Sequence, residues 1–170
     1  MAAEMLVLRV VHVLGGVFWV GAMMYNTFFL MPVLSQAGPA AGTVIAGMQQ
    51  RKLFMWLPIA AIATMLAGIR LLMIQSAGFS SIYFSTAPGR TYLVGAVMAV
   101  TAFAVGLFVA RPTMMRMTQL GASLPTADES RRAALQEEMA VLRRRGAVSG
   151  SLVTWLLIGA TVAMAVGRYA

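Results

Sequence analysis

Cysteine is absent from the chain, which removes disulfides, thiolate metal sites and cysteine nucleophiles from consideration. Charge is scarce as well, at 11% of 170 residues. None of the five acids (Glu4, Asp128, Glu129, Glu137 and Glu138) falls inside a long apolar run. A carboxylate relay within a membrane is thereby excluded, and with it the usual machinery of a proton-coupled transporter. A single histidine, His12, rules out bis-histidine heme ligation within one chain. No Ser-His-Asp set, HExxH, Walker loop or glycine fingerprint after a strand occurs.

What is present is hydrocarbon. Hydrophobic residues make up 60% of the chain and the mean hydropathy is +0.82, beyond what a soluble core can bury. The net charge of +8 and pI of about 11.4 would point to nucleic acid in a soluble protein. Here the arginines flank apolar runs, so they are read as topology and headgroup contacts, with no nucleic-acid partner.

The stretch from Val10 to Pro32 carries no charge over about 23 residues, enough at about 1.5 Å per residue to cross a bilayer core of about 30 Å. Helical spacing from His12 selects Gly15, Gly16, Trp19, Met23 and Asn26 as one polar, glycine-notched stripe. That stripe is expected to face protein, with Asn26 making an interhelical hydrogen bond worth about 1 kcal/mol or less. Val13, Val17, Val20 and Phe28 are expected on the lipid face. The leading MAAEMLVLR lacks a basic n-region, so the run is read as a retained helix and not a signal peptide.

Four spans are predicted at about 8–33, 53–74, 92–110 and 148–166. SQAGPAAG should end the first near Leu34, and a short helix is expected over 42–50. Residues 76–91 form an expected interfacial loop with Tyr83 and Phe84 at headgroup level. Between the last two spans, residues 111–147 are expected as a helical hairpin, with Thr126 and Glu129 forming a capping box. The fold expected is all-α: a single integral membrane domain, a four-helix up-down-up-down bundle with that hairpin as an extension.

The basic residues give an orientation. Arg51, Lys52, Arg111, Arg116, Arg131, Arg132, Arg143, Arg144 and Arg145 fall on one side, and Arg9, Arg70, Arg90 and Arg168 on the other. The hairpin is therefore expected in the cytoplasm and both termini outside, in a multi-pass protein of a bacterial-type inner membrane. The triplet Arg143, Arg144, Arg145 would favour anionic lipid headgroups at about 1 kcal/mol each. Small residues, among them Gly68, Gly95, Gly106 and Gly159, are expected to let helix backbones pack closely.

Candidate chemistry centres on His12. It is a ligand or proton-handling candidate, or a neutral histidine hydrogen-bonded at the interface. Met73 and Met164 are expected at its level, and thioethers with one imidazole suit Cu(I). One His with one Met, or a site shared between copies, would suit heme b. Otherwise the methionines are packing residues.

The segment H-V-L-G-G-V-F-W-V-G, from His12 to Gly21, resembles the opening helix of the copper-resistance protein D family and related small membrane families. These share a histidine followed seven residues later by W-x-G. Arg51 to Gly68 resembles their second helix, with its basic start and small, Gly-containing end, so the likeness covers about the first 75 residues. The resemblance implies an inner-membrane helical bundle and copper handling, with His12 the one ligand carried over. A related heme-dependent protoporphyrinogen oxidase family also begins with a histidine helix, but pairs it with an intramembrane lysine that no span here contains.

Three functions follow as expectations. The first is a non-catalytic accessory or scaffold subunit with other membrane subunits as partners. The second is a copper-handling protein using His12, Met73 and Met164. The third is a heme-binding protein with His12 as axial ligand.

Overall fold

A computed structural model describes residues 2–38 and 40–170. Pro39, one of the residues expected to end the first helix, lies outside them. Among the described residues the chain is helical with no strand. Four helices are long and apolar enough to cross a membrane: α1 (Ala2–Gln36), α3 (Leu53–Gln75), α5 (Ala87–Thr126) and α6 (Glu129–Tyr169). Short helices α2 (Ala40–Gln50) and α4 (Ser81–Ser85) lie in the first two connections.

Two of the long helices contain a π-helical turn, Asn26–Leu30 in α1 and Gly106–Ala110 in α5. Each is followed, after one residue, by a proline, Pro32 and Pro112. Proline has no N–H to give to the carbonyl four residues back, and its ring clashes with that carbonyl. Widening the preceding turn relieves the conflict: Met31 N–H bonds to Asn26 O and Arg111 N–H to Gly106 O, both five residues back. The helices thus continue through their prolines.

The long helices associate as two antiparallel pairs. In α1/α3, Gly15 lies against Ala60 and Thr64, His12 against Gly68, and Glu4 pairs with Arg70. Positions fall along one helix as they rise along the other. In α5/α6, Tyr92 meets Gly167, Gly95 meets Ala163, and Met98 meets Gly159. The pairing continues past the apolar runs, where Arg116 donates to Glu138 at 2.7 Å. The pairs are joined in the middle by Trp19, Ala61, Ala102, Val153 and Leu157, one or more from every long helix. Trp19 is 5% exposed and meets Phe103 edge-on at 6.3 Å.

Of the residues expected on the lipid face, Val13 and Val17 are well exposed, but Val20 packs against this central cluster. The face turned to protein is wide enough at Trp19 to include its neighbour. Phe28 is exposed too, its ring edge-on at 5.9 Å to the exposed Trp155.

The connections follow local chemistry. Gly38, at φ +53, takes the left-handed conformation that ends α1. After α3, Ala77, Gly78 and Phe79 all have positive φ, and the Ser76 hydroxyl ties this turn by accepting from Phe79 N–H at 2.9 Å. The capping box at Thr126 and Glu129 is not formed. Asp128 caps α6 instead, its Oδ1 accepting from Arg131 N–H at 2.8 Å. Pro125 sits inside a tight 3-10 turn, Leu124–Thr126, so the extended residue that a cap requires comes two positions later.

Candidate functional site

His12 projects from α1 into a notch in α3. The notch exists because residue 68 is glycine: a Cβ there would stand 2.7 Å from His12 Cε1 and 2.9 Å from Nδ1. In that position Nδ1 lies 2.8 Å from the carbonyl oxygen of Thr64. A carbonyl only accepts, so Nδ1 carries the proton and donates it. Nε2 is the ring nitrogen turned away from this contact. It has no hydrogen-bond partner among the described residues and keeps accessible surface.

The same stretch of α3 receives Gly15. A Cβ at Gly15 would collide with the Thr64 hydroxyl, whereas one at Gly16 would meet only Thr64 Cγ2 at an ordinary 3.7 Å. Thr64 itself donates its hydroxyl to Ala60 O at 2.8 Å, so its polarity is spent within its own helix. One threonine thus holds the imidazole by its backbone and sets the helix spacing by its side chain.

The thioethers expected beside His12 are engaged elsewhere. Met73 Sδ lies 3.9 Å from Arg70 Nη1, and Arg70 is held by Glu4 through Nε at 2.9 Å and Nη2 at 2.6 Å. Met164 extends to the Gly95 notch of α5, where its Cε would be 3.1 Å from a Cβ. Met73 meets a neighbour one turn back on its own helix, and Met164 one across the α5/α6 seam.

Asn26 does not make the expected interhelical hydrogen bond. That contact belongs to Thr27, whose Oγ1 lies 2.7 Å from Thr154 Oγ1. Asn26 itself opens the π turn, its carbonyl accepting from Met31 N–H. Thr154 is fully buried, and its hydroxyl donates to Gly150 O at 2.9 Å, with Met23 O also near at 3.3 Å. Gly106, expected at a close helix contact, has nothing within 4 Å of a Cβ position and instead begins the second π turn. At Gly159 a Cβ would collide with the flexible end of Met98. Arg143, Arg144 and Arg145 are exposed along α6.

Sequence reading left the partner of a hydrogen-bonded His12 open and did not single out Arg116 with Glu138, Thr27 with Thr154, or Glu4 with Arg70. A signal existed for the last, since Glu4 and Arg70 belong to the same side in the arginine count. Comparison of the chain with protein-family models, with curated proteins and with solved structures finds no match.

Proposed function

We propose that this chain is a non-catalytic multi-pass membrane protein, an accessory or scaffold subunit that packs beside other membrane chains. The observation that carries the reading is where the hydroxyls of the long helices go. Thr64, Thr101, Thr113, Thr154 and Thr161 each donate to a carbonyl four residues back, so their polarity is absorbed in packing. In this reading the bundle runs up-down-up-down through a bacterial-type inner membrane. The hairpin over 111–147 lies in the cytoplasm, both termini lie outside, and the Arg143–Arg145 triplet rests on anionic headgroups. Tryptophans 56 and 155, both more than half exposed, provide apolar contact area for neighbouring chains.

Purification in mild detergent with crosslinking tests the role, and a stoichiometric membrane partner is the expected result. Single cysteines are clean topology probes, since the chain has none of its own. Labelling of a hairpin cysteine from outside intact cells, or a tightly held redox centre, overturns the reading.

One observation favours a second reading. An imidazole anchored by Nδ1–H on a carbonyl, with Nε2 free, is oriented as a metal ligand is. His12 would then hold copper or heme b jointly with a group from another chain. A Soret band, or stoichiometric copper, that disappears in His12→Ala would establish it; a colourless, metal-free protein after expression with both supplied would dismiss it.

A further inference from the structure

Two grooves flank the first turns of α3, at the end of the bundle away from His12. One, of about 540 Å³, is bordered by Phe18 of α1, Met48 of α2, and Arg51, Trp56 and Ile59. The other, of about 460 Å³, is bordered by Lys52, Phe54, Pro58, Ile59 and, from α5, Arg111. Ile59 lines both, so the grooves lie on either side of one helix edge. The first is walled almost wholly by hydrocarbon and the second is more mixed, while the cations stand where the apolar runs stop: Lys52 immediately before Leu53, and Arg111 immediately after Ala110.

Arg51, Lys52 and Arg111 have no carboxylate partner among the described residues. The ion pairs there are Glu4 with Arg70 and Arg116 with Glu138. The remaining acids sit at or near the hairpin tip. Two helices therefore bring uncompensated positive charge to the polar rim of both grooves. The N-terminus of α3 adds its own partial positive charge there and has no side-chain cap.

We propose that this is a binding site for an anionic diacyl phospholipid: the phosphate lies among Arg51, Lys52 and Arg111, and one acyl chain enters each groove. A peptide would leave the paired grooves and their shared wall unexplained, and a free anion would leave the hydrocarbon unused. The inference rests on the chain lying in a bilayer and is independent of any accessory role. It also differs from headgroup contact at Arg143–Arg145, which border neither groove.

Trp56 borders the first groove and reports on its occupant. In the full chain with Trp19→Phe and Trp155→Phe, Trp56 fluorescence is measured in vesicles of phosphatidylcholine containing increasing phosphatidylglycerol with brominated acyl chains. Brominated phosphatidylcholine at the same fractions is the comparison. Brominated phosphatidylglycerol should quench at much lower mole fraction. Lys52→Gln with Arg111→Gln should weaken that preference by about 30-fold, at about 1 kcal/mol per interfacial charge. Arg143→Gln, Arg144→Gln and Arg145→Gln together should leave it in place.

Identical quenching by the two lipids overturns the proposal. So does a preference that survives the Lys52/Arg111 change and disappears with the triplet. Inorganic phosphate that shifts Trp56 emission in plain phosphatidylcholine vesicles, with no preferential quenching by brominated phosphatidylglycerol, would show an anion site without a lipid and also counts against it. A partner subunit found or not found in detergent has no bearing on these curves, so the two proposals fail separately.

Discussion

Nδ1 of His12 and the backbone oxygen of Thr64 lie 2.8 Å apart across the α1/α3 seam, and the contact fits because Gly68 has no side chain. A hydrogen bond, a glycine and a ring are thus one unit. Gly68→Ala should drive its methyl into the imidazole and destabilise the protein by about 1–3 kcal/mol, the usual cost of overpacking. His12→Ala removes the ring and should make the same alanine nearly harmless. The check is a double-mutant cycle in detergent unfolding, and additive effects would show that the two residues do not share a site.

Adjacent glycines should behave differently. Gly15→Ala would press on the Thr64 hydroxyl and the Ala60 carbonyl, and should cost about 1–3 kcal/mol. Gly16→Ala meets only a methyl at 3.7 Å and should stay within about 0.5 kcal/mol of the parent. Thermal unfolding of the two variants side by side decides it. Equal losses would mean that α1 is rotated from the packing described.

Acid should loosen the hairpin from its tip. The Arg131 N–H, and secondarily the Ser130 hydroxyl, hold the Asp128 carboxyl below its ordinary pKa. Arg116 lowers Glu138 in the same way, mainly through its hydrogen bond. A carboxyl lowered by folding contributes stability above its unfolded value and loses it as pH falls through the folded one. Amide exchange over residues 127–132 should therefore quicken as pH drops below the normal carboxylate range, after correction for intrinsic rates. Asp128→Asn can still cap and should flatten that dependence at the α6 start.

Tyr83 offers a gain. Its hydroxyl is buried with no hydrogen-bond partner among the described residues, and burial, with Tyr92 adding to it, pushes the phenol pKa up. An unsatisfied buried hydroxyl costs about 1–3 kcal/mol, so Tyr83→Phe should leave stability unchanged or raise it by about 1 kcal/mol. A clear loss in melting temperature would mean that the hydroxyl has a partner after all. The neighbouring Gly89→Ala should do the opposite, because a Cβ there meets the Tyr83 backbone carbonyl.

Composition and run length alone determined that this chain has four long apolar helices. Whether a segment suits hydrocarbon depends on its own residues and on a length matched to the bilayer, both local quantities. Leu53 to Ile74 needed no partner to be recognised, and neither did the extension of α5 and α6 beyond Ala110 and before Val148. Contacts across helices were decided by tertiary structure. Pro32 and Pro112 each widen a turn, one opening at Asn26 and the other at Gly106; the interhelical hydroxyl contact falls to Thr27, and Gly106 has no close neighbour. Strict α-helical counting cannot anticipate that step. The partner of His12 was equally hidden, because it is a backbone carbonyl, and every residue in the chain has one.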